Sequence, residues 1–321
     1  MDKIVITGGC GFIGSHLTDF LFKKFRKSQF IILDKLTYAA NKKYLKNINN
    51  DKRVKIVVGD INNSNLLLKL TFKTDLLIHL AAESHVDRSF SSIKKFISTN
   101  VQGTRNVLDA CRINKVKRII HVSTDEVYGE IYKGSFGENS PLNPTNPYAS
   151  TKAAAEMIVS GYKKSFNMDI NIVRSNNIFG TRQYPEKIIP SCCYNILNNK
   201  KILIHGSGNQ RRTFLYVDDF SKAIFSIINN WKSNEIYNIG SNFEYKIIDI
   251  IHLILKKFNK DFHKSTKFVQ DRLFNDFRYS VKTSKIQKLK WKPKVKVEDK
   301  IDDIIKWYKN NIKLFQKINK I

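Results

Sequence analysis

Glycine and proline are scarce, 14 and 6 of 321 residues, which excludes a collagen-like, linker-rich or low-complexity chain. Cysteine is scarcer still. Cys10, Cys111, Cys192 and Cys193 form no C-x-x-C pair and no ligand-like spacing with histidine. Neither a zinc site nor a disulfide framework organises the chain, no metal is expected, and a reducing, cytoplasmic setting fits best. Long apolar runs are missing as well, none approaching the roughly 20 residues of a membrane-spanning helix. Met1-Asp2-Lys3 leads straight into the strand-like Ile4-Val5-Ile6 rather than into a secretory leader, so a soluble, unexported protein without a membrane partner is expected.

Acidic residues are few, 28 Asp and Glu against 56 Lys and Arg, for a formal charge of +28. Such a charge raises the question of a polyanion partner. Lysine outnumbers arginine 44 to 12, however, and is spread along the chain beside abundant Asn and Ile. Nucleic-acid readers favour arginine and concentrate their charge. In the densest stretch, Val281 to Ile321, Ile301, Ile304, Ile305, Tyr308 and Ile312 recur at helical spacing, so the lysines read as the solvated face of an amphipathic helix. No specific nucleic-acid partner is expected.

Hydrophobic residues make up 42% of the chain, ample for a globular core, and their pattern alternates short apolar strands with helical stripes. Lys3 to Thr7 precedes an Ile13, Leu17, Phe20, Leu21 stripe. Further strands are expected at Phe30 to Leu33, Val54 to Val58, Leu76 to Ala81, Arg118 to Val122 and Ile170 to Arg174, with helices near Asn100 to Cys111 and Tyr148 to Ser165. This alternation predicts an α/β fold, a doubly wound parallel sheet of Rossmann type, with its ligand site at the carboxyl ends of the strands. After Arg174 the alternation loosens. Residues 1–174, with later contributions from about 213–240, are expected to form the dinucleotide-binding domain, and 175–212 with 241–321 a smaller substrate-binding lobe.

Gly8, Gly11 and Gly14 fall between the first strand and the first helix, in Thr7-Gly8-Gly9-Cys10-Gly11-Phe12-Ile13-Gly14. A Cβ-free turn there lets the backbone approach a pyrophosphate, and the helix N-terminus supplies partial positive charge. Asp34 ends the second strand, where a carboxylate accepts from ribose hydroxyls and repels a 2′-phosphate. Strand, glycines, helix and acid together favour NAD over NADP, although Lys35 is adjacent.

Tyr148 and Lys152 share one helix face just after Pro147. A phenol acting as a base near neutrality must fall about three units from its ordinary value, and a nearby ammonium such as Lys152 is a suitable cause. Alone, this spacing is common in ordinary helices. Next to the dinucleotide fingerprint it resembles the extended branch of the short-chain dehydrogenase/reductase superfamily.

Ser123-Thr124-Asp125-Glu126 follows the strand ending at Val122 and places two adjacent carboxylates at a strand's carboxyl end. With Leu33-Asp34-Lys35-Leu36-Thr37-Tyr38-Ala39, His79 to Ser89, Ser175-Asn176-Asn177, Tyr184 to Pro190 and Trp291-Lys292-Pro293, it resembles the sugar nucleotide 4,6-dehydratases, the dTDP-glucose enzymes above all, nearly end to end. The resemblance implies an NAD-dependent, redox-neutral removal of water from an NDP-glucose, giving the 4-keto-6-deoxy sugar of a deoxysugar pathway such as rhamnose synthesis. Tyr148 would take the C4 hydroxyl proton, with Thr124 on the C4 oxygen and Lys152 supporting both tyrosine and cofactor. Glu126 would remove the C5 proton and Asp125 protonate the departing C6 hydroxyl. Phe12, Ile13, Asp60, Ile61, Ala81, Ala82, Thr99 and Asn177 join the glycines, Asp34 and Lys35 at the cofactor. Ser84, Asn176, Lys187, Arg212, Asn238 and Arg272 join Thr124 at the nucleotide sugar, and a homodimer is implied.

Two departures bear on the substrate pocket. Leu273-Phe274-Asn275 stands where the family usually has Pro-Gly-His, and Thr213 replaces a usual Asp, which leaves dTDP-glucose and UDP-glucose both open. A 4-epimerase or decarboxylase of the same superfamily would share the NAD site and Tyr148-Lys152 but needs no Asp125-Glu126 pair. A basic nucleic-acid-binding protein on a Rossmann scaffold is supported by the charge alone.

Overall fold

The computed structural model describes residues 1–315. Seven parallel strands form the main sheet: β1 (Lys3–Thr7), β2 (Gln29–Asp34), β3 (Val54–Val58), β4 (Leu76–His79), β5 (Arg118–Thr124), β6 (Ile170–Ser175) and, later in the chain, β10 (Ile236–Ile239). Their order is β10-β6-β5-β4-β1-β2-β3, so the chain reverses direction between β1 and β4, where Thr7 stands level with both Leu33 and His79. Such a reversal opens a crevice beyond the strand ends.

Both faces of the sheet are covered, which is why its strands read as unbroken apolar runs. On β1, Ile4 and Ile6 join the core beneath the helices Phe12–Lys24 and Val217–Asn229, while Val5 joins Leu67, Val107 and Val159 on the other face. The helix Pro147–Phe166 begins with Asn146 accepting from the Ala149 amide (2.9 Å) and Pro147 in the first turn. It ends at Asn167 in the left-handed region. The helix expected from Asn100 starts earlier, at Ile93, and runs through a π-helical stretch, Ile97–Gly103, before Thr104–Ile113. Asn100 lies in that widened turn and ties Glu83 to Thr151, a contact that strict α-helical spacing does not announce.

The second lobe holds β7 (Asn177–Phe179), β9 (Arg211–Tyr216) and β11 (Glu244–Lys246) as one sheet, with β8 (Ile202–His205) and β12 (Thr266–Val269) as a second. Helices Ile188–Leu197, Ile247–Lys257 and Val297–Asn311 cover them, burying Ile301, Ile304, Ile305 and Tyr308. Ile286 and Trp291, inside the stretch expected for this lobe, pack instead against the main core, and the Trp291 indole donates to the Asp219 carbonyl at 2.9 Å. Among the described residues, no helix is long and apolar enough to cross a membrane.

Candidate active site

A cavity of about 710 Å³ runs from the β1–β4 crevice to the inner face of the second lobe. At its floor Gly8 takes φ +72°, and a Cβ there would sit 2.7 Å from the Ala81 nitrogen; one on Gly14 would sit 2.7 Å from the Gly9 Cα. Only glycine permits this approach. The helix starting at Phe12 has no side-chain cap and no acid in its first turn, so its first N–H groups and positive dipole end are left for an anion. Asp34, 8% exposed, accepts from the Cys10 and Leu36 amides at 2.9 and 2.8 Å. Burial raises its carboxyl despite those bonds. Lys35 pairs with Asp60 at 2.6 Å, and both line the cavity. Ile13, Ile61, Ala81, Ala82, Thr99 and Asn177 complete this half of the wall. A glycine cradle, an open helix end and a buried acid fit a dinucleotide such as NAD, with the acid placed for a free ribose.

At the end of β5, Thr124 and Glu126 face the cavity together with Tyr148 and Lys152, whereas Asp125 lies immediately behind the wall, 3% exposed. The surroundings of the two carboxyls differ. Asp125 is raised to about 7 by burial and then by Glu126, and its Oδ2 accepts from the Asn176 amide at 2.7 Å. Glu126 is also raised by burial, but Lys187 and Arg212 oppose the rise and Asn146 donates to its Oε2 at 3.4 Å. Both carboxyls are thus shifted toward the acid form by burial, Asp125 further by its neighbour, while Lys187 favours the ionised form of Glu126.

Tyr148 departs from the expectation that Lys152 lowers its phenol. Burial, followed by Glu126, pushes the phenol far above its ordinary value, and only the Thr124 hydroxyl opposes this. The Lys152 ammonium instead donates to the Val122 carbonyl at 2.8 Å, and burial lowers it to about 8. Without a further positive charge in the cavity the phenol stays protonated.

In the second lobe, Lys187 donates to the Ser84 carbonyl at 3.0 Å, Arg212 lies 4.7 Å over the Tyr279 ring, and Arg272 pairs with Asp87 at 2.9 Å. All three cations line the cavity with Ser84 and Asn176. Asn238 does not. It is fully buried, accepting from the Tyr128 hydroxyl at 2.8 Å and donating to the Phe136 carbonyl at 3.3 Å, so its amide is already used inside the protein. Residues absent from the sequence reading also reach the site. Asp276, 3% exposed, accepts from Thr145 at 2.5 Å and from the Tyr279 hydroxyl, and it raises Glu126 further. The Asp276-x-x-Tyr279 spacing alone carries no signal that the loop folds back onto Glu126.

The family model described as GDP-mannose 4,6 dehydratase matches residues 5–304. Human dTDP-D-glucose 4,6-dehydratase is 41% identical over 99% of this chain and 93% of its own length. A trifunctional UDP-glucose 4,6-dehydratase, 3,5-epimerase and reductase of Arabidopsis thaliana is 38% identical over 96% of this chain and 47% of its own. The crystal structure of DesIV, a dTDP-glucose 4,6-dehydratase from Streptomyces venezuelae with NAD bound, superposes with a TM-score of 0.95 at 36% identity, covering 98% of this chain and 99% of that one. With the glycine cradle, Glu126 and the Tyr148-Lys152 helix on one cavity and Asp125 just behind its wall, the chain belongs to the GDP-mannose 4,6 dehydratase family.

Proposed function

We propose that the chain converts dTDP-glucose or UDP-glucose to the corresponding NDP-4-keto-6-deoxyglucose, releasing one water. The observation that carries this reading is the Asp125-Glu126 pair, two buried carboxyls adjacent in sequence, one raised further by its neighbour and held by Asn176, the other facing the cavity and opposed by Lys187. Oxidation alone needs no such pair, whereas elimination across C5–C6 needs an acid and a base at once.

Gly8, Gly11, Phe12, Ile13, Gly14 and Asp34 would hold the cofactor, with Lys152 and Asn177 at its reactive end. When bound, NAD supplies a positive charge in the cavity and a reversible store for the hydrogen taken from C4 and returned to C6. Tyr148 Oη takes the proton of the C4 hydroxyl, with the Thr124 hydroxyl on the same oxygen. The C5 proton, acidified by the new ketone, goes to a Glu126 carboxylate oxygen. Asp125 is the proton source for the departing C6 hydroxyl, which leaves as water. Glu126, whose proton exchanges with solvent, then returns a proton to C5. Arg212, Arg272 and Lys187 provide cations for the diphosphate, and Ser84 and Asn176 face the sugar.

We further infer a cytoplasmic homodimer. Its support is the four free, buried cysteines and the exposed apolar side chains Ile93, Ile97 and Met157 on two helical segments that pack together. Separate incubations with dTDP-glucose and UDP-glucose, read by mass spectrometry, test the reaction: at least one substrate loses one water without added reductant. A product isomeric with the substrate, inverted at C4, would instead place the chain among the epimerases.

A further inference from the structure

The diphosphate takes no part in the proposed chemistry. C4, C5 and C6 of the glucose react, while the nucleotide end leaves as it arrived, so any hold on the phosphates grips product as firmly as substrate. Such uniform binding lowers KM without raising kcat, and it slows release. Lys187, Arg212 and Arg272 are the cations placed for the diphosphate on the cavity wall. Among the described residues, Arg272 alone of the three forms an ion pair.

Its partner comes from the other lobe. Arg272 follows β12, whereas Asp87 lies in the helix Val86–Ser91 of the dinucleotide-binding half. Both residues line the cavity, and with Nε 2.9 Å from Oδ1 the pair joins the two lobes along its wall. The backbone under Arg272 is braced. Asp271 Oδ1 accepts from the Arg272 amide and from the Asn275 side chain, each at 2.8 Å, and Asp271 Oδ2 accepts from Gln210 at 3.2 Å. The guanidinium is held less well. Its Nε is buried, yet the N–H is not directed at the nearby Asp87 oxygen and finds no aligned acceptor. His85 Nε2, 3.8 Å from Asp87, hydrogen-bonds the Glu186 carbonyl at 3.3 Å, and burial, then Lys187, favours its neutral ring. Arg272 is therefore the cation that faces the Asp87 carboxylate.

We propose that Asp87 is a competing anion that limits the grip of Arg272 on the diphosphate and so speeds the departure of product. The carboxylate is close enough to draw the guanidinium, and too poorly aligned to keep it from a phosphate whose oxygens can meet the N–H groups of the fork directly. Diphosphate binding exchanges the Asp87 contact for a phosphate contact, and product release exchanges it back. Part of the phosphate attraction is offset at each exchange. This rests on the dehydratase reading, which places the diphosphate at Arg272. Asp87 acts through Arg272 and is a positioning residue.

Asp87→Asn keeps the shape and removes the charge. In the NAD-loaded enzyme, calorimetry with dTDP and with UDP should show the diphosphate that the wild type binds held more tightly by about 5-fold, the scale of a partly exposed ion pair. KM should fall by about the same factor and kcat should not rise. The inhibition constant of the 4-keto product should fall with KM, since the hold is common to both. Asp87→Glu, which keeps the charge, should bind as the wild type does. Arg272→Gln weakens diphosphate binding by itself, and adding Asp87→Asn to it should change nothing further, because the cation that Asp87 competes for is gone. Equal tightening in both backgrounds would overturn the proposal, as it would reflect only the general repulsion between one acid and an anion. Unchanged or weaker binding by Asp87→Asn would overturn it too, making Asp87 a support that aims Arg272 at the phosphates. Should Asp87→Asn fail to fold, Asp87→Ser is read by the same outcomes. A wild-type enzyme that binds neither dTDP nor UDP would instead sink the nucleotide-sugar reading, and this proposal with it.

Discussion

Arg174 of β6 forks onto Glu156 of the helix Pro147–Phe166, its Nη2 2.6 Å from one carboxylate oxygen, with the two side chains 4% and 1% exposed. The pair bolts the helix carrying Tyr148 and Lys152 to the sheet. It also reaches the chemistry, since the Glu156 charge opposes the burial that lowers the Lys152 ammonium. Glu156→Ala would leave a guanidinium buried without its anion, and unfolding in urea should show a loss of about 3–5 kcal/mol. A loss below roughly 1 kcal/mol would mean that the Tyr128 hydroxyl and the Glu138 carbonyl, the other partners of Arg174, satisfy it alone.

The Lys35–Asp60 ion pair bears on cofactor choice. With Lys35 drawn to Asp60, the group left at the end of β2 is the Asp34 carboxylate, and NAD should bind far more tightly than NADP. Asp34→Ala removes a charged hydrogen-bond acceptor worth about 1.5–3 kcal/mol, so calorimetry should show NAD affinity falling by about 10- to 100-fold while NADP affinity holds or rises. Asp60→Ala, by freeing Lys35, should favour NADP further. Equal affinities of the wild-type protein for both dinucleotides would show that Asp34 does not govern the choice.

What could be read from the sequence was whatever rests on local spacing. The glycines after β1, Asp34 at the end of β2, the pair ending β5 and the Tyr148-Lys152 face each lie within one turn or strand end, and the doubly wound sheet follows from their alternation. Asn146 reaches Glu126, and Asp276 and Tyr279 line the same cavity as Glu126, only because distant segments fold together. The Lys152 direction at Val122 and the seclusion of Asn238 likewise depend on packing that no spacing encodes. Tyr148 shows the limit most clearly, for an i, i+4 ammonium was expected to lower a phenol that its buried surroundings raise.

The pH profile should carry the signature of Asp125. Burial raises its carboxyl to about 7, and the elimination uses the protonated form, so turnover is sustained below that value and falls as pH rises through it. Lys152, lowered to about 8, loses its charge just above and steepens the fall. Glu126 must be ionised and sets the acid limb, which burial raises above the usual carboxylate range against the opposing charges of Lys187 and Arg212. Because the two carboxyls interact, the limbs belong to the pair. Measured kcat should form a bell whose alkaline side begins near neutrality, and Asp125→Asn should remove that first descent and leave the one due to Lys152. A wild-type kcat that keeps rising above neutrality would contradict Asp125 as the acid.

Glu126→Gln separates elimination from the oxidation that precedes it. The substitution preserves shape and the contact with Asn146, removes the base, and leaves Tyr148, Lys152 and the glycine cradle intact. The C4 hydroxyl can still lose its proton to Tyr148, whereas the C5 proton has no acceptor. Turnover should fall by about 10²- to 10⁴-fold, the usual contribution of a general base. The near-ultraviolet absorbance of reduced nicotinamide should appear on adding substrate and persist, because its hydrogen has no C6 acceptor to go to. In heavy water, deuterium should no longer enter C5. Tyr148→Phe should also show no exchange and no product, but it should differ in the absorbance, which stays unchanged on adding substrate because the first step lacks its base. The contrast between the two variants is the decisive measurement: if Glu126→Gln turns over at the wild-type rate, the C5 base is another group, and Asp276, the buried carboxylate that raises Glu126, is the next residue to replace.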